Sequence, residues 1–119
     1  ASFDFAVFIT TICFVDDPER SLQEAYRVLK NKGEIIIAIL DRETPYGSTL
    51  EKAKEKNVFY KNARFFSTPE IVNLLEKYSF KISRILQTLE NLASTVVEYP
   101  SEGFGMGSFV VVKGVKEEP

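Results

Sequence analysis

The chain has 119 residues, is 45% apolar and carries a net charge of −2. This suits one globular domain, residues 1–119, that buries about two-thirds of its unfolded surface, and it excludes a disordered segment. Acidic and basic residues are interleaved and histidine is absent, so we expect no nucleic-acid face, no anionic-membrane anchor, no histidine base and no metal centre.

Cys13 is the only cysteine. No internal disulfide can form, and a cytoplasmic location is expected. No apolar run approaches the ~20 residues of a membrane span, and the chain opens without a basic and apolar leader.

Phe3–Ile9 is apolar apart from Asp4 and reads as a buried strand. Asp17, Pro18 and Glu19 form a helix start. Leu22, Ala25, Tyr26 and Leu29 fall on one helical face. Lys30, Lys32 and Gly33 predict its end, with Gly33 in the left-handed stop. Ile35–Leu40 reads as a second buried strand. Two continuous apolar strands around a helix predict a parallel βαβ unit.

Asp41 to Gly47 reads as a loop. Ser48, Thr49, Leu50 and Glu51 match a capping box. The helix they predict runs to about Asn57 with a thin apolar face. Residues 46–66 are therefore expected to form a lid-like cover. Thr68 and Pro69 predict the next helix start, and Ile71, Leu74, Leu75 and Tyr78 its apolar face. Phe80–Thr88 predicts a strand with Phe80, Ile82 and Leu86 on one face. Asn91 to Gly103 reads mainly as loop. Gly103, Gly105 and Gly107 lead into the strand Phe109–Val112 and no helix follows, so they read as a turn and not a phosphate loop. Lys116–Pro119 is expected to be a frayed tail.

The stretch from Phe3-Asp4 through Asp17-Pro18 and Arg27-Val28-Leu29-Lys30 to Gly33–Ile39 resembles the second half of class I S-adenosylmethionine-dependent methyltransferases, of the small-molecule type. Phe66-Ser67-Thr68-Pro69-Glu70-Ile71, continuing to Phe80, resembles the helix that follows there. The resemblance implies an α/β fold: a partial doubly wound, Rossmann-like sheet. Two parallel strands and a C-terminal antiparallel pair would carry helices on both faces. Phe109–Val112 would lie between Ile35–Leu40 and Phe80–Thr88. Ser79 stands where the family usually has a glycine. The family's Gly-rich cofactor loop and the acidic residue after its second strand have no counterpart here. The resemblance therefore implies that these residues alone do not hold the cofactor.

Ligands of open α/β sheets bind beyond the carboxyl ends of the parallel strands. By resemblance, Ile9, Thr10 and Thr11 would lie at the methionine end of S-adenosylmethionine. The plainer reading of both threonines is that they satisfy backbone groups at a strand end. A carboxylate at Asp41 would suit an amine acceptor, against the simpler reading of a solvated loop. Phe14, Tyr46 and Tyr60, with Phe59, Phe65 and Phe66, would wall an acceptor pocket, although aromatics of this kind are more often core. No catalytic residue is singled out. Methyl transfer needs chiefly alignment, so the lack of histidine is compatible with it.

Two other readings fit the residues. One is a non-catalytic half-domain that scaffolds or pairs with another chain. The other is part of a nicotinamide-dependent oxidoreductase, whose Tyr-x-x-x-Lys spacing occurs at Tyr26 and Lys30. The edge at Phe3–Ile9 lacks proline or lysine to blunt it. We expect it to pair with a missing N-terminal half or with a second copy in a homodimer.

Overall fold

The structure is a computed structural model describing residues 2–56, 61–90 and 97–117. The strands are β1 (Phe3–Ile9), β2 (Leu29–Leu40), β3 (Phe80–Thr88), β4 (Ser101–Glu102) and β5 (Phe109–Lys116). The helices are α1 (Pro18–Val28), α2 (Pro45–Ala53) and α3 (Thr68–Lys77). The sheet order is β1-β2-β5-β3-β4. β1 and β2 are parallel, with Val7 opposite Ile36. β5 runs antiparallel to both of its neighbours. The mixed α/β sheet is thus the one expected, with β5 inserted between β2 and β3.

The core lies on one face of the sheet. Ile35, Ile37, Val110 and Val112 meet Leu22 and Ala25 of α1 and Ile71 and Leu75 of α3. Glu19 of α1 accepts hydrogen bonds from Lys77 and Tyr78 at the end of α3, so the two helices sit side by side. On the opposite face, Ile36, Leu86 and Val111 line a shallow dip together. That same face carries the odd-numbered residues of β1, and Phe5, Val7 and Ile9 remain 59%, 53% and 61% exposed.

Several boundaries differ from expectation. α1 ends at Val28, and Leu29 already belongs to β2. Lys32, not Gly33, takes the left-handed backbone, with φ of 69°. Gly33 is needed for a different reason: a Cβ there would stand 2.8 Å from the Lys30 carbonyl oxygen. The cation that caps α1 comes from the far end of the chain. Lys116 is 8% exposed, and its Nζ donates to the carbonyls of Tyr26 and Leu29 at 2.6 Å each. Lys116 is therefore the last residue of β5 and not the start of a tail.

α2 starts earlier than Ser48. Thr44 caps it and Pro45 follows. Gly47 lies inside this helix, where a Cβ would fall 1.9 Å from the Asp41 carbonyl oxygen. Ser67, not Thr68, caps α3 in a reciprocal box with Glu70. A register shift between Ile82 and Arg84 turns β3 over. Ile85 then packs toward the core, while Leu86 faces the other side, contrary to the simple alternation expected. Ser101 and Glu102 add β4 where only loop was expected. Gly103 and Gly105, with φ near +98° and +101°, form the turn expected before β5.

Candidate functional site

The chain leaves β1 through a sharp turn. Thr10 donates its N–H to the Ala38 carbonyl at 2.9 Å, continuing the parallel ladder. Its backbone is then left-handed, with φ of 48°, a conformation unusual for a β-branched residue. The Thr10 and Thr11 hydroxyls both donate to the Ile9 carbonyl, at 2.8 and 2.9 Å. A short 3-10 turn, Ile12–Phe14, follows. Ile12 points into the core, and this leaves Cys13 and Phe14 beside the ends of β1 and β2.

A cavity of about 330 Å³ opens there. Thr10, Cys13 and Phe14 form one wall and Ile39 and Leu40 of β2 form the floor. Phe65 and Phe66, both buried, close the back. The Cys13 carbonyl accepts the Arg64 N–H at 2.7 Å, tying the first wall to the back. Burial pushes the Cys13 thiol up, only partly offset by its backbone hydrogen bond. It is therefore a protonated, weakly polar surface at neutral pH and not a nucleophile.

The back wall is held by a polar clasp. Asp41 is 1% exposed. Its Oδ1 accepts the Glu43 N–H at 2.9 Å. Its Oδ2 accepts both the N–H and the hydroxyl of Thr68, at 3.2 and 2.7 Å. This places a carboxylate at the N-terminus of α3, where the helix dipole favours it. Arg42 donates to the Phe65 carbonyl at 3.2 Å and pairs with Glu70. The Arg42 N–H donates to the Phe66 carbonyl, also at 3.2 Å. The two charged residues after β2 thus look inward to α3 and position Phe65 and Phe66.

Of the residues expected at a site, Thr10 and Phe14 line the cavity. Ile9 and Thr11 sit beside it without forming its wall, and the side chain of Ile9 faces the open side of the sheet. The plainer reading of the threonine hydroxyls describes their hydrogen bonds. Asp41 has both oxygens engaged and braces the site. Tyr46 is half-buried in the first turn of α2 and does not line the cavity. Phe59 and Tyr60 lie outside the described residues. Cys13, Ile39 and Leu40 were not singled out in the sequence. For Cys13 the available signal was its spacing of three residues from Thr10. Tyr26 and Lys30 do not form a catalytic pair: Tyr26 donates its hydroxyl to the Glu117 carbonyl at 2.7 Å, and Lys30 lies 3.5 Å from Asp4.

Among the described residues, no group of three His, Cys, Asp or Glu side chains is placed to hold a metal ion. No helix among them is long and apolar enough to cross a membrane.

Residues 1–37 match a family model described as a methyltransferase domain. An uncharacterized protein of Methanocaldococcus jannaschii is 37% identical over 115 residues, which is 96% of this chain and 56% of that protein. A solved structure from Thermotoga maritima is named a "SAM-dependent methyltransferase, possible histamine N-methyltransferase". It is 53% identical, covers 98% of this chain and 57% of that one, and superposes with a TM-score of 0.93. A SAM-dependent methyltransferase structure from Methanosarcina mazei shares the fold at 21% identity and a TM-score of 0.65, covering 99% of this chain and 61% of that one. The chain thus spans little more than half the length of these three relatives.

Proposed function

We propose that the chain, which has the class I S-adenosylmethionine-dependent methyltransferase fold, is the C-terminal half of such a domain, and that the full-length protein transfers a methyl group from S-adenosylmethionine to a small-molecule acceptor. The observation that carries this reading is the position of the cavity, at the carboxyl ends of the parallel strands β1 and β2. Open α/β sheets bind their ligands there.

When bound, S-adenosylmethionine would supply a sulfonium-activated methyl group for an acceptor lone pair held in line with it. The residues of this chain serve that chemistry by shape. Thr10 and Thr11, spent as donors on Ile9, fix the turn at the methionine end. The Thr10 oxygen keeps acceptor lone pairs, and among the described residues no cationic side chain lines the cavity, which suits a neighbouring sulfonium. Phe14 and the buried pair Phe65 and Phe66 exclude water from the line of approach. Tyr46 and Tyr60 belong to the segment that would close over the acceptor. No general base is needed for a neutral nucleophile held in line, and the proton it sheds passes to water.

The free edge of β1 completes the picture. β1 ends the sheet order, so one row of its N–H and C=O groups has no strand partner among the described residues. We infer that a further part of the same protein pairs there, with self-pairing of two copies as the outcome when that part is absent. The greater length of the relatives supports this.

Isothermal titration of S-adenosylhomocysteine into the full-length product of the same gene tests the reading. Saturable heat is expected; its absence would falsify methyl transfer from this donor.

A further inference from the structure

Among the described residues, the cavity wall contains no charged side chain, although four ionisable residues stand close by. Asp41 spends both carboxylate oxygens on Thr68 and Glu43. Arg42 is paired with Glu70. Arg64 lays its guanidinium over the Phe66 ring, 4.9 Å from the centroid. Cys13 is held protonated and directs its thiol to the Thr10 carbonyl at 3.5 Å.

A ligand entering this space meets aromatic and aliphatic carbon, one thiol and the acceptor lone pairs of Thr10. A carboxylate finds no donor cation there. An ammonium finds no counter-charge, and the Phe66 ring that might face it already serves Arg64. Burying an uncompensated charge is among the most unfavourable steps in recognition. The volume of about 330 Å³ is at the small end of ligand pockets. It exceeds the ~150 Å³ apolar cavity that admits one benzene ring.

We propose that this cavity binds an uncharged, largely apolar ring system of one or two fused rings, carrying a single N–H, O–H or S–H that donates to Thr10. Calling that ligand the methyl acceptor rests on the function proposed above; the chemistry of the cavity does not. On this proposal a protonated amine such as histamine is disfavoured in its charged form.

The test is methyl NMR on the full-length protein, with indole, histamine and benzoate as neutral, cationic and anionic probes. The Ile39, Leu40 and Thr10 methyl signals should shift with indole at a dissociation constant at least about tenfold below that of either charged probe. Equal or tighter binding of histamine or benzoate overturns the proposal, and so does the absence of any shift with all three. Cys13→Asp puts a carboxylate in the wall and should reverse the order, with histamine ahead of indole. If it does not fold, the wild-type titration still decides. A protein that binds indole here but shows no heat with S-adenosylhomocysteine keeps this inference and loses the methyl-transfer reading. The opposite pair of results does the reverse.

Discussion

Thr68 gives both its backbone N–H and its hydroxyl to one carboxylate oxygen of Asp41. The pair joins the strand end under the cavity to the first turn of α3. Removing the carboxylate leaves two buried donors without a partner, and each such group costs about 1–3 kcal/mol. We expect Asp41→Ala to destabilise the full-length protein by about 2–4 kcal/mol in thermal or urea unfolding. Thr68→Val, which removes one donor together with its need, should cost about 1 kcal/mol. Equal effects of the two substitutions would contradict this account.

Lys116 is the second expected point of weakness. Its ammonium donates to two carbonyls at the end of α1 and lies 4.4 Å from the Tyr26 ring centroid. Lys116→Met keeps most of the stem volume and removes those donors. A loss of about 1–3 kcal/mol is expected, with near-native spectra, since α1 itself remains. A neutral result would show that water replaces the ammonium without cost.

Backbone strain offers a gain. Ser79 and Lys32 are non-glycine residues with φ of 70° and 69°, and both side chains are exposed. Left-handed backbone costs an L-residue about 1–2 kcal/mol. Glycine recovers part of that but loosens the unfolded chain. Ser79→Gly should therefore raise stability by about 0.5–1 kcal/mol. A fall in unfolding temperature would mean that the Ser79 side chain does more than fill the position.

The clasp between α1 and α3 should respond to pH. Hydrogen bonds from Lys77 and then Tyr78, with the Lys77 charge, hold Glu19 below its ordinary 4.5. A carboxylate lowered in the folded state stabilises above its unfolded value, and the effect is lost as pH falls through the folded value. Lys77 and Tyr78 are raised, chiefly by their hydrogen bonds to Glu19, so their share is lost only as pH rises through their own folded values. The clasp is complete through the neutral range. Because all three groups are open to solvent, the effect is small. Glu19→Gln should lower the unfolding temperature near neutral pH and cease to matter once pH has fallen through the folded value of Glu19. An effect of Glu19→Gln that persists at low pH would point to packing instead.

α2 buries only Gly47, whereas α1 buries Leu22 and Ala25. Few buried contacts mean low local stability. Amides of Leu50–Ala53 should exchange with solvent faster than those of Leu22–Val28. Equal protection would rule out the covering role expected for residues 46–66.

The periodic parts of the chain were legible without coordinates. β1 and β3 have the limits expected from their apolar runs, and Asp17-Pro18 starts α1 as capping chemistry requires. The misses share a cause: each is settled by a distant partner. Thr44-Pro45 and Ser48 are both credible caps, and only the close approach of Gly47 to Asp41 selects the first. Leu86 changes face because no β5 residue stands opposite Ser83 in the register, a bulge that alternation alone cannot reveal. Asp41 looked like an exposed loop acid because nothing local predicts Thr68 as its partner. The apolar residues at the strand ends were visible. That they enclose a space depends on α3 drawing Phe65 and Phe66 over it.

β5 is the last strand of the sheet in the chain and lies in the middle of it, between β2 and β3. While the chain is being made, β2 can zip to β1, but β3 has no route to the sheet until β5 arrives. Lys116, which caps the end of α1, closes β5 and so follows every other described element. Until β5 is made, β2 and β3 stay unjoined and the main core stays open, a state in which long-range pairing is slow and exposed strands invite aggregation. Phe109–Lys116 is the keystone of assembly, so a stop just ahead of Phe109 would not yield a slightly shorter protein but two fragments of sheet with nothing between them.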